Sequence, residues 1–110
     1  MAVEQYRTLI QQLLRQHAQY PAAHGEVEAQ TIFDTQNDHY QLVNVGWNGT
    51  HRIYGCVLHL DIKQGKIWIQ QDGTEVGIAN ELIALGIPKQ DIVLGFQSPF
   101  MRKFTEFAVS

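Results

Sequence analysis

Apolar residues first recur at helical spacing: Val3, Tyr6, Ile10, Leu13, Leu14 and His17, with Gln and Arg between them, predict an amphipathic helix from 3 to about 20. It stops ahead of Pro21, because a proline disfavours helical geometry in the residue before it, and 22–25 reads as a loop. The period then changes to two. VEAQTIFDT (27–35), HYQLVNVGWN (39–48), RIYGCVLHLDIK (52–63) and KIWIQQD (66–72) alternate and are rich in β-branched and aromatic residues. Gln36-Asn37-Asp38, Asn48-Gly49, Gln64-Gly65 and Asp72-Gly73 punctuate them as turns. Strands joined this tightly run antiparallel, since a parallel neighbour needs a crossover of about a dozen residues. A four-stranded meander is expected.

Helical spacing returns with Ile78, Ala79, Leu82, Ile83 and Leu85, Thr74 serving as cap and Gly86 followed by Ile87-Pro88 as stop, which predicts a second helix of about three turns. DIVLGF (91–96) reads as a short buried strand, although its length also permits a helical turn. The tail SPFMRKFTEFAVS opens a helix with Ser98 as cap and Pro99 in the first position, bringing Phe100, Phe104 and Phe107 to one side. The expected class is α+β: an N-terminal helix, a four-stranded antiparallel meander, a second helix, a short strand and a C-terminal aromatic tail.

Two-residue turns at Asn48-Gly49 and Gln64-Gly65 would pair Trp47 with Thr50, Val45 with Arg52, Val43 with Tyr54, Ile62 with Ile67 and Leu60 with Ile69. Face one then collects Val43, Val45, Trp47, Tyr54, Cys56, Leu58, Leu60, Ile62, Ile67 and Ile69, and is expected beneath the helices. Face two collects Tyr40, Leu42, Asn44, Gly46, His51, Ile53, Gly55, Val57, His59, Asp61, Trp68 and Gln70, with Val27, Ala29, Thr31 and Phe33 from the first strand. A solvated antiparallel face is mostly polar. Phe33, Tyr40, Leu42, Ile53, Val57 and Trp68 therefore mark face two as an expected interface, covered by the C-terminal aromatic segment, a second copy of the chain in a homodimer, or a different protein.

Composition narrows the class. A chain of 110 residues, 45% hydrophobic and 17% charged, fits a single domain spanning 1–110 and excludes intrinsic disorder. At this size folding buries roughly 65% of the unfolded surface, so neither a disulfide nor a structural metal is required. A net charge of −3 without basic runs disfavours strong direct DNA binding. The N-terminus has Glu4 and Arg7 and no uninterrupted apolar stretch, unlike a signal peptide or membrane span, and the single Cys56, read as a reduced core thiol, suits the cytoplasm.

Candidate chemistry is sparse. His17, His24, His39, His51 and His59 lack the close ligand spacing of a zinc site, and the expected register sends His39 and His59 to opposite faces, so neither metal nor cofactor is implied. His59 follows Cys56 by three residues, which on a strand points it away from the thiol and removes it as a base. The glycines match no phosphate loop or dinucleotide fingerprint. Asp61-Ile62-Lys63 matches the acidic-x-Lys half of a magnesium-dependent nuclease signature, which Asp34 or Asp38 would complete, but the same residues suit a solvated strand end. Arg102-Lys103 between Phe100 and Phe104 is the only basic pair, too little charge for appreciable phosphate affinity.

Essentially the whole chain resembles one family. Tyr40-Gln41-Leu42 through Gly46-Trp47, Lys66-Ile67-Trp68-Ile69-Gln70, Asp72-Gly73-Thr74-Glu75, and Gly86-Ile87-Pro88 through Leu94-Gly95-Phe96 look like the XisI family, cyanobacterial excision-controlling factors named for the fdxN DNA element. The resemblance implies a non-enzymatic regulator of DNA-element excision by a separate site-specific recombinase during heterocyst differentiation. It also implies a companion of the XisH family, which resembles endonuclease-fold proteins, so a subunit or inhibitor of such a partner is an alternative. The family has no assigned catalytic residues to carry over.

Overall fold

The computed structural model describes residues 2–20 and 25–110; of the loop expected over 22–25, positions 22–24 lie outside them. Helix α1 (Val3–Ala18) buries Tyr6, Ile10, Leu13 and Leu14. Their spacing of three and four residues keeps them on one face of the helix, which lies against the sheet.

The sheet has five strands in sequence order, β1 (Glu26–Asp34), β2 (His39–Asn48), β3 (His51–Lys63), β4 (Lys66–Asp72) and β5 (Ile92–Leu94). The first four form the expected antiparallel meander, and β5 joins β4 in parallel. Parallel addition requires a crossover, supplied by α2 (Ile78–Ala84) and a 3-10 turn at Lys89–Asp91. The architecture is α+β.

Helix α2 has 7 residues rather than about three turns. Thr74 acts through a loop instead of directly as the cap: Asp72 accepts from the Thr74 hydroxyl and from the Ile78 amide, while the Thr74 hydroxyl oxygen accepts from Gly77. Gly86 ends the helix at φ 95°, where Gly86 N donates to Ile83 O and Ile87 N donates to Leu82 O. This is the paired-bond stop that favours glycine, and it drives Ile87 into the core at 2% exposure. At the tail, Ser98 and Pro99 open α3 (Pro99–Arg102) as expected, but it is only 4 residues long. Phe100 and Phe104 stack 5.4 Å apart in solvent, whereas Phe107 packs on the core, so the three do not share a side. Ala108 N donates to Ile92 O, binding the tail to the sheet's outer edge.

The turn after β3 has the expected form, with Gln64 and Gly65 at φ 54° and 76° and Ile62 opposite Ile67. The turn after β2 does not. Asn48 pairs with His51, leaving Gly49-Thr50 as the loop, and positive φ falls on Gly49 alone, at 62°. A glycine in the first central position gives a type II′ turn, and the pairing moves by two residues, with Val43 opposite Cys56 and Val45 opposite Tyr54.

A shift of two preserves faces, but a bulge does not. Val43 faces Cys56 while Leu42 faces Leu58, so Val57 is an extra residue in β3. Every side chain of β3 before it is thereby transferred to the opposite side relative to those after it. Face one is split: Leu58, Leu60, Ile62, Ile67 and Ile69 lie under α1 and α2, joined by Tyr40 and Leu42, while Val43, Val45, Trp47, Tyr54 and Cys56 lie on the opposite, open face. The core is therefore made of α1, α2, Ile87, Ile92 and one side of the sheet.

Candidate functional site

The six residues expected to line one interface do not share a face. Tyr40 and Leu42 are 0% and 3% exposed and belong to the core, because β2 alternates without interruption and the bulge brings Leu58 and Leu60 to their side. Phe33 packs against Tyr40 at 5.7 Å beneath the Arg15 guanidinium. Val57 is half-buried against the core and, with His17, Tyr20 and Glu81, lines a groove of about 310 Å³. Ile53 is half-buried on the helix side, paired with Gly46. Trp68 alone lies on the open face. Cys56, expected in the core, is exposed there too; burial of the sulfur pushes its thiol pKa up, against the Leu58 carbonyl hydrogen bond, so it is no activated thiolate.

Two surfaces make up the open face. Over β4 and β5 the tail folds back: Arg102 donates to the carbonyls of Leu94, Gly95 and Gln97 and stacks 5.1 Å from the Trp68 ring, whose other cationic neighbour is Lys63 at 4.6 Å. Arg102 is thus spent on backbone and ring, and Lys103 sits over Phe100. Over β1–β3 Val43 is buried among its neighbours, but the aromatic residues beside it are open to solvent. Trp47 and Tyr54 are 50% and 72% exposed and sandwich Arg52, with Ile32 49% exposed on the neighbouring strand.

Between these surfaces lies a polar cluster that sequence reasoning missed. His39 is directly opposite Asp61, and the bulge turns His59 to the same side. The Asp61 Oδ1 atom accepts from His39 Nδ1 at 2.8 Å and His59 Nε2 at 2.9 Å, and Oδ2 accepts from Gln70 Nε2 at 3.2 Å. His59 Nδ1 accepts from Gln41 Nε2 at 3.3 Å, which fixes the ring's proton on Nε2. Asp61 is 6% exposed. Its burial pushes the carboxyl pKa up, but the hydrogen bonds from His39 and His59 outweigh this and hold it below the usual range. The same bond raises His39 above the ordinary imidazole value.

The acids expected to complete a magnesium site are engaged elsewhere. Asp34 accepts from the amides of Gln36 and Asn37, and Asp38 accepts from Arg7 at 2.7 Å and Tyr40 at 2.8 Å. Lys63 does share the face of Asp61, yet its ammonium lies over Trp68. What surrounds Asp61 is imidazole, not a second carboxylate. His17 pairs with Glu81 across α1 and α2, His51 is exposed at the hairpin turn, and His24 lies outside the described residues.

An α+β chain of this kind, with helices over one side of a single sheet and no helix among the described residues long and apolar enough to cross a membrane, matches known structures over 96% of its length. The model of the XisI protein family matches residues 1–109, and the chain belongs to the XisI family. It is similar to the crystal structure of a XisI-like protein from Anabaena variabilis, at 47% identity and TM-score 0.89, covering 96% of this chain and 97% of that one. It is also similar to the fdxN element excision controlling factor XisI from Anabaena variabilis, at 38% identity and TM-score 0.80, covering 96% of each chain. No curated protein matches it.

Proposed function

We propose that this protein is a non-enzymatic, cytoplasmic regulator of DNA-element excision that acts through protein contacts made by the bare half of its open sheet face. Membership of the XisI family, with a neighbour described as an excision controlling factor, supports the regulatory role. The observation that carries the mode of action is the exposure of Trp47, Tyr54 and Ile32 on one side of β1–β3. Aromatic residues with an interleaved arginine are the enriched constituents of protein interfaces, and a large ring left in water gains most by docking. The occupant we assign is the XisH-like companion, with a site-specific recombinase reached through it. Arg102 is held by backbone carbonyls and the chain carries a net charge of −3, which argues against DNA as the direct ligand.

The test is an affinity capture of the tagged protein from cells that encode it, with and without nuclease treatment, read by mass spectrometry. Recovery of the XisH-like companion after nucleic acid is destroyed, and its loss with Tyr54→Glu, is the expected result. Recovery only with intact DNA would move the function to direct DNA binding. A homodimer that buries Tyr54 in place of the companion, seen as a halved mass for Tyr54→Glu in light scattering, would make self-association the role of this face.

A further inference from the structure

The cluster at His39, His59 and Asp61 has chemistry that the regulatory reading does not use. A buried carboxylate is costly unless a cation compensates it. Among the described residues no lysine or arginine pairs with Asp61; its partners are two imidazoles and one amide. One ligand atom from each of His39, His59 and Asp61 lies within 4.8 Å of the others. All three stand on neighbouring strands, His39 and Asp61 as a cross-strand pair and His59 two residues from Asp61, so the hydrogen-bond ladder holds them in place before any ligand arrives.

We infer that His39 Nδ1, His59 Nε2 and Asp61 Oδ1 form a binding site for a divalent transition cation of the zinc type. Two imidazoles and one carboxylate suit zinc, cobalt or nickel, whereas magnesium and calcium prefer oxygen ligands alone. Outer contacts are already present: Gln70 steadies the free oxygen of Asp61, and Gln41 meets the far nitrogen of His59. Binding moves the His59 proton from Nε2 to Nδ1, where the Gln41 amide, rotated to present its oxygen, accepts it. His39 likewise carries its remaining proton on Nε2, and the His39 side chain, 54% exposed, leaves the cation open to water on the solvent side.

The purified, chelator-treated full chain is titrated with Co²⁺ and followed by visible d–d absorption. One Co²⁺ per chain, displaced by Zn²⁺ but not by excess Mg²⁺, is expected. The double variant His39→Ala/His59→Gln should bind at least about 100-fold more weakly, since removing ligands costs more than the 10- to 100-fold typical of their outer contacts, while His51→Ala binds normally. Circular dichroism confirms that the variants are folded. A second measurement needs no variant: on adding Zn²⁺, the ring nitrogens of His39 and His59 should move in long-range ¹H–¹⁵N spectra. Absence of stoichiometric binding, binding unaffected in the double variant, or shifts confined to the other histidines would overturn the assignment.

Discussion

Tyr6 is 1% exposed beneath the sheet, and its hydroxyl donates to Asp91, just ahead of β5. Burial, then the Asp91 hydrogen bond and charge, push the phenol pKa up to about 12 from 10.0. The unfolded phenol therefore loses its proton before the folded one, and stability falls as pH rises between those values. The contribution is whole below pH 10 and gone above the folded pKa, and two pKa units correspond to about 3 kcal/mol. Tyr6→Phe removes the titration together with the hydrogen bond. It should cost about 1 kcal/mol in urea melts at pH 8, whereas by pH 11.5, where ionisation of Tyr6 has cost the native chain about 2 kcal/mol, the variant should be the more stable of the two; a constant deficit would show that Tyr6 does not set the alkaline limit.

At the scale of strands, the packing of β1 on β2 depends on one missing side chain. A Cβ on Gly46 would stand 2.1 Å from the Glu26 carbonyl oxygen and 2.8 Å from Val27 Cα, so an alanine there forces backbone to move. Gly55 on β3, paired with Asn44, has nothing within 4 Å of such a Cβ. Gly46→Ala should cost about 1–3 kcal/mol, with hydrogen exchange accelerated in β1 and β2, whereas Gly55→Ala should stay within about 0.5 kcal/mol. Equal effects would mean that Gly46 does not carry the close approach. The same scale decides what was legible in the sequence. Both helices, the four-strand order and the Gln64-Gly65 register follow from periodicity and turn chemistry, which are local signals. The bulge at Val57 has none: YGCVLHL alternates as well through it as without it, and only competition among Tyr40, Leu42, Leu58 and Leu60 for the space under α1 selects it. That single residue hid the site, because it is what sets His39 and His59 on one side. The parallel docking of β5 was invisible for a related reason, since its partner lies across a helix rather than across a turn.

In the whole molecule, helices cover one side of the sheet and the tail covers part of the other, so the open face divides into a half that the tail packs on and a half that leaves Trp47 and Tyr54 exposed. Arg102 belongs to the first: three backbone carbonyls and the Trp68 ring hold it, and through them the tail is fastened to β4 and β5. Tyr54 belongs to the second, its ring in water apart from the Arg52 guanidinium. Opposite responses are expected. Arg102→Ala should lower stability by about 1–3 kcal/mol, from lost charged hydrogen bonds and a cation–π contact, and should raise acrylamide quenching of Trp68 fluorescence in a Trp47→Phe background. Tyr54→Glu removes no internal hydrogen bond or core contact and should leave the denaturation midpoint almost unchanged while abolishing capture of the companion protein. If Tyr54→Glu instead unfolds the chain, the bare half is part of the fold's own packing; if Arg102→Ala alone abolishes capture at unchanged stability, the partner docks on the tail half.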